Sequence, residues 1–313
     1  MQGLDAAART VLMQCMGAKS GEALCIVYDP PKAAIARAIM DVASHEGLDT
    51  VSLQMSVGSR DGEEPPASVA AAMQNADIVL CVTSCSLSHT KARRDANAAG
   101  ARIASLPGIT EEMLVRTMQA DYAAVAQLGQ AIALALHGAA RVHVKSAAGT
   151  DLHIPIKGRP VMQETGLLHN TGDFGNLPAG EVALAPLEGA THGTLIVDGS
   201  MSGAGKLEEP LTIKIEDGFA VSITGGSAAT KLHQLLEPLG RDAYNIAELG
   251  IGTNPAAIIT GKVLEDEKVL GTIHVALGNS LSMGGSVDVP IHLDGIVRNP
   301  TVVTDTGSVM LKD

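Results

Sequence analysis

Aromatic side chains are nearly absent: the chain has no tryptophan, two phenylalanines and three tyrosines among its 313 residues. Surfaces that hold bases or sugars by stacking depend on such residues, so that class of binding site is not expected. Basic residues are also scarce. Lys and Arg total 22 against 34 Asp and Glu, the net charge is −12, and the longest basic run is Lys91-Ala92-Arg93-Arg94. Without a basic block to attract phosphates, no nucleic-acid partner is expected.

Only four cysteines occur. Cys25 and Cys81 lie in apolar runs and read as small buried hydrophobes, while Cys81 and Cys85 do not form a C-x-x-C pair, so neither a disulfide nor a zinc knuckle is expected. Long apolar runs are missing too. The most apolar helical stretch, Tyr122 to Leu136, is broken by Gln127, Gly129 and Gln130, which suits a packed amphipathic helix and not a membrane span. Met1-Gln2-Gly3-Leu4-Asp5 carries no basic, then apolar, leader pattern, and the expectation is a cytoplasmic protein with no membrane partner. Phosphate-binding glycine loops are missing as well: Asp29-Pro30-Pro31 follows the first strand where G-x-G-x-x-G would be needed, and no Walker A sequence occurs.

What is present begins with an alternation of strands and helices. The apolar runs Ala23–Tyr28, Thr50–Met55, Asp77–Thr83 and Ala101–Ser105 alternate with helical stretches at 33–44, 69–75, 89–99 and 111–118. That rhythm predicts an α/β domain with a parallel sheet covered on both faces, over residues 1–138. After about Gly138 glycine becomes frequent and short alternating segments take over, predicting a mainly antiparallel, β-rich, barrel-like domain over residues 139–313. With 46% hydrophobic residues, each half can bury a core.

The chemistry concentrates in four segments of the second half: Gly180-Glu181-Val-Ala-Leu-Ala185, Ala247-Glu248-Leu-Gly250, Gly271-Thr-Ile-His274-Val-Ala-Leu-Gly278 and Pro290-Ile-His292-Leu-Asp294-Gly295. In a strand, residues i and i+2 share a face, so His292 and Asp294 project together and His274 projects beside Thr272 and Ala276. Small residues flank the polar groups, and bulky ones take the reverse face. A lone strand histidine is more often a hydrogen-bonded core residue than a ligand. Four such segments together point instead to a cation, because clustered buried carboxylates repel and raise each other's pKa unless a positive charge intervenes. Imidazole with carboxylate suits Zn, Mn, Co or Fe(II). His89, at a predicted strand-to-helix junction with Ser88 as a possible cap, is a weaker candidate. His169, Asp173 and His192 read as loop or turn residues.

These segments, with Ser88-His-Thr-Lys-Ala-Arg93, Ser105-Leu-Pro-Gly-Ile-Thr-Glu-Glu-Met-Leu114 and Glu248-Leu-Gly-Ile-Gly-Thr-Asn254, resemble in order the thermophilic-type metalloaminopeptidases, the M29 family. The resemblance implies a homodimer and a two-metal site with Glu181, Glu248, His274, His292 and Asp294 as ligands. A glutamate, Glu181 or Glu248, would move the proton of a metal-activated water attacking the N-terminal bond of a small peptide. The chain departs from that pattern. Asn279-Ser-Leu-Ser-Met-Gly-Gly285 stands where the family carries a tyrosine, and the tyrosines present are Tyr28, Tyr122 and Tyr244. The resemblance extends to 2,5-dihydroxypyridine 5,6-dioxygenases. There His274, His292 and Asp294 would hold one Fe(II), and His89 would contact a small-molecule substrate. The leading expectation is therefore a metal-dependent aminopeptidase-like hydrolase, with the Fe(II) ring-cleaving dioxygenase as the alternative and a metal-binding protein without turnover as the third reading.

Overall fold

The computed structural model describes residues 2–309 and 311. The chain forms two compact units, one of residues 1–124 with 165–179 and the other of 125–164 with 180–313; the division falls inside the helix Tyr122–Leu136.

The first unit is an α/β layer structure. Its five strands run in the order Asp49–Gln54, Ala23–Tyr28, Ile78–Val82, Arg102–Ser105, Phe174–Asn176, and every pairing is parallel. The central strand Ile78-Val-Leu-Cys-Val82 is buried at every position, as a doubly covered parallel strand requires. Cys25, Val27, Val79, Cys81 and Ile103 pack on one face with Val69 and Met73 of the helix Ala67–Gln74 and Ala92 and Ala96 of the helix Lys91–Ala98. Thr110 caps Glu111–Thr117 by accepting from the Met113 N–H at 3.2 Å. At the other junction the cap is Thr90, accepting from Arg93 N at 3.2 Å, and not Ser88, whose hydroxyl turns inward to Ser105 Oγ at 2.9 Å. The turn after the first strand holds the buried carboxylate of Asp29, which accepts from Ser84 N at 2.6 Å. A carboxylate there repels a phosphate, in keeping with the missing glycine fingerprint.

The second unit consists of two seven-stranded antiparallel sheets. One has the order Gly205–Lys206, Ser200–Met201, His292–Arg298, Thr272–Gly278, Ile246–Gly252, Glu181–Leu184, Met162–Glu164. The other runs Phe219–Thr224, Leu211–Glu216, His192–Val197, Asp151–Pro155, Arg141–Lys145, Thr301–Thr304, Gly307–Val309. Alternating residues of both sheets share one core: Val182, Leu184, Leu249, Ile251, Ile273, Val275 and Val297 from the first, Val142, Val144, Leu152, Ile154, Leu195 and Ile213 from the second. No helix among the described residues is long and apolar enough to cross a membrane.

Candidate metal centre

The strand period decides which side chains leave that core. In the first of these sheets Val182, Leu249, Ile273, Val275 and Leu293 point inward, so Glu181, Glu248, His274, His292 and Asp294 stand on the opposite face. Register then brings them together. Gly252 lies opposite Glu181, Gly250 opposite His274, Ala276 opposite both Glu248 and Asp294, and Gly278 opposite His292. On one side each functional side chain thus faces glycine or alanine, which leaves room for the polar groups; on the other His274 is opposite Ile296 and Glu181 opposite Glu164.

The five groups form a continuous row. Glu181 Oε2 lies 3.3 Å from His274 Nε2. His274 Nε2 lies 3.2 Å from Glu248 Oε1, and Glu248 Oε2 lies 2.9 Å from His292 Nε2. His292 Nε2 is 3.4 Å from Asp294 Oδ1. Ligand atoms of Glu248, His292 and Asp294 all lie within 4.8 Å of one another, as do those of Glu181, Glu267 and His274. The Nδ1 of His292 donates to the backbone carbonyl of Asn279 at 2.8 Å. That bond orients the ring and turns Nε2 toward Glu248 and Asp294, where it donates to a carboxylate when no ion is bound and is the nitrogen that would face one. Glu181 Oε2 and Asp294 Oδ1 are buried yet accept no hydrogen bond among the described residues. Acceptor oxygens facing imidazole nitrogens without a well-placed proton suit a cation between them, so the donor set fits a divalent ion.

Electrostatics separate the row into two ends. Lys268 is fully buried, and its ammonium meets Glu164 at 2.7 Å, Glu181 at 2.8 Å and Glu267 at 2.8 Å. Burial opposes its charge, but the three carboxylates more than compensate and hold its pKa well above normal. Burial pushes Glu181 well above the usual carboxylate range, with Lys268 pulling against it. Burial acts the same way on Glu248, but hydrogen bonds from His274 and His292 outweigh it and bring the carboxyl below its ordinary range. Burial also disfavours a charged His274, yet the Glu248 hydrogen bond, with Glu181 and Asp294 nearby, lifts it from 6.5 to about 9.

These shifts give the chelator-treated protein a defined pH response. The raised His274 contributes stability that is fully present below about pH 6.5 and lost as pH rises through about 9. The depressed Glu248 contributes stability present above its ordinary 4.5 and lost in stronger acid. Melting temperature in the presence of chelator is therefore expected to fall between pH 6.5 and 9, and to fall less in a His274→Gln variant. Equal slopes in the two proteins would contradict the pairing.

Sequence reasoning did not single out Lys268, Glu267, Glu164 or Gly250. Glu267-Lys268 sits in the charged run Glu265-Asp-Glu-Lys268, which looks solvated; only its neighbours Leu264 and Val269 hint at burial. His89 belongs to the first unit, where it is exposed and its carbonyl accepts from Arg94 Nη1 at 2.7 Å; the row described above does not include it. Tyr28 and Tyr122 also lie in the first unit, and Tyr244 in a short 3-10 turn, so no tyrosine comes from the strands of this row. His192 opens a strand where a turn was expected.

A family model described as NicX, 2,5-dihydroxypyridine 5,6-dioxygenase, matches residues 32–313. The chain belongs to this family. The 2,5-dihydroxypyridine 5,6-dioxygenase of Pseudomonas putida KT2440 is 29% identical over 189 residues, 56% of this chain and 54% of that protein; the chain thus spans about half the length of the curated relative it matches. The solved structure of 2,5-dihydroxypyridine dioxygenase from Pseudomonas putida KT2440 superposes with a TM-score of 0.82 at 21% identity, covering 97% of this chain and 95% of that one. Wild-type AmpT from Thermus thermophilus superposes with a TM-score of 0.72 at 17% identity, covering 99% and 98%. At these identities both structures establish the fold. The family match lies with the dioxygenases, the second of the two resemblances, while AmpT shares the fold.

Proposed function

We propose that the chain is a mononuclear Fe(II) enzyme that cleaves the ring of a small dihydroxylated heteroaromatic of the 2,5-dihydroxypyridine type. The observation that carries this reading is the Lys268 ammonium at 2.8 Å from Glu181. It places a fixed positive charge at one end of the row, where a dinuclear hydrolase would need a second metal ion. The donors left are Glu248, His274, His292 and Asp294; among them His274, His292 and Asp294 make a two-histidine, one-carboxylate set, with Glu248 against both rings. When bound, Fe(II) supplies the redox centre at which dioxygen and the ring are brought together. The protein's own groups hold that centre in place. Asn279 fixes the His292 tautomer through its carbonyl. Glu248, ionised, lies against both imidazoles and adds negative charge beside them. Glu181 is anchored by Lys268 at Oε1 and can hold a proton at Oε2. The family match supports the substrate class, and the segment Asn279–Gly285, with no tyrosine where an aminopeptidase-like chain would carry one, supports the same choice.

Anaerobic loading with Fe(II), followed by oxygen uptake with 2,5-dihydroxypyridine, tests the reading. About one iron retained and oxygen consumed in step with loss of the ring is the expected result. His292→Ala should lose both the turnover and the metal-linked rise in melting temperature. Release of amino acids from a dipeptide panel with Zn, Mn or Co, and no oxygen uptake, would restore the hydrolase; tight metal binding with neither activity would leave a binding protein.

A further inference from the structure

A second group of histidines lies on the other sheet of the same unit, and the proposed reaction makes no use of it. His143 is the register partner of His153, and His153 of His192, so three imidazoles stand in a row across adjacent antiparallel strands. Their sequence neighbours Val142, Val144, Leu152 and Ile154 fill the core, so the histidines occupy the outer face. The rings stack. His143 and His153 have centroids 4.1 Å apart with planes 16° from parallel, and His153 and His192 are 5.0 Å and 17° apart. Asp151, two residues before His153 and on the same face, places Oδ1 2.7 Å from His143 Nε2 and 3.8 Å from His153 Nε2. Ligand atoms of His143, Asp151 and His153 lie within 4.8 Å of one another. His192 Nδ1 approaches the Ala190 carbonyl at 3.3 Å, which leaves its Nε2 as the acceptor nitrogen.

We infer that His143, Asp151 and His153, with His192 beside them, form a separate, solvent-accessible site for a late first-row divalent cation such as Cu2+, Ni2+ or Zn2+. Three features carry this. Two imidazole Nε2 atoms converge on one carboxylate oxygen, and a third imidazole stands next in the row. The donors come from three strands whose register is set by the hydrophobic face beneath, so their backbone positions are fixed before binding. With His192 the row offers three imidazoles against two in the proposed catalytic set, and nitrogen-rich sets favour the copper end of the divalent series over Fe(II), Mg or Ca. The site also bears on metal counting: two ions per chain do not by themselves indicate a dinuclear centre in this protein.

The test uses Cu2+ alone as probe, on the full chain and with no substrate, so its failure leaves the proposed reaction untouched. Titration followed by electron paramagnetic resonance should show a Cu2+ equivalent with at least two nitrogen couplings that persists in His292→Ala, where the catalytic row has lost a ligand. His143→Gln and His153→Gln should each weaken that equivalent by at least about tenfold, with the circular dichroism spectrum and the Fe(II)-dependent oxygen uptake unchanged. Asp151→Asn provides a third variant in case either histidine change disturbs folding, and it should weaken binding in the same direction. Wild-type affinity and couplings in all well-folded variants, or an oxygen-only spectrum in the wild type, would overturn the proposal.

Discussion

Lys268→Met is expected to destabilise the protein by about 3–5 kcal/mol, the range for removing one partner of a buried ion cluster. The ammonium is fully buried and meets three carboxylates at 2.7–2.8 Å. Methionine keeps most of the volume and removes the charge, so Glu164, Glu181 and Glu267 would face one another without compensation. Burial already raises Glu181 and Glu267 with the lysine in place. Without it they rise further, and protonation then relieves the repulsion. The deficit in urea-denaturation stability should therefore narrow as pH is lowered from 7 toward 5. A variant as stable as the wild type at neutral pH would mean that the cluster contributes nothing beyond its volume. Iron retention adds a second measurement: if Lys268 holds Glu181 away from the ion, the variant should lose its one-iron stoichiometry.

Gly250→Ala should abolish tight metal binding through a single methyl group. A Cβ built at Gly250 falls 1.9 Å from His274 Nε2 and 2.1 Å from Cε1. The backbone there is ordinary extended strand, so the glycine is required for space and not for conformation. His274 is fully buried, so the ring must displace packed neighbours to make way. Overpacking of this kind costs about 1–3 kcal/mol, so the variant should fold with reduced stability. The predicted signature is a folded protein whose melting temperature no longer responds to Fe(II). A normal metal-linked shift in Gly250→Ala would mean that the His274 ring position is not needed for binding.

Much of the framework is legible along the chain because strand periodicity is a local property. Arg141–Lys145, Leu211–Glu216 and Phe219–Thr224 follow directly from alternation or from turn residues, and Tyr122–Leu136 from its helical apolar pattern. The same alternation puts Glu181, Glu248, His274, His292 and Asp294 on the face away from the core. Other features have no local signature. Gln2–Arg9 continues into a π-helical turn at Thr10–Cys15, and the edge strand Phe174–Asn176 joins the parallel sheet of the first unit from a distant part of the chain. The polarity of Glu267-Lys268 looks like a solvated turn until the neighbouring strands close over it.

The sequence by itself determined the layer types and the side of each strand from which the histidines and carboxylates of the row project, since these depend on a repeat of two and on local composition. Only the tertiary structure decided that Lys268 pairs with Glu181, that Gly250 makes room for His274, and that His143, His153 and His192 stack in one row. Those relations join strands far apart in sequence. They arise from cross-strand register, which is set by the whole hydrophobic face and not by any single segment.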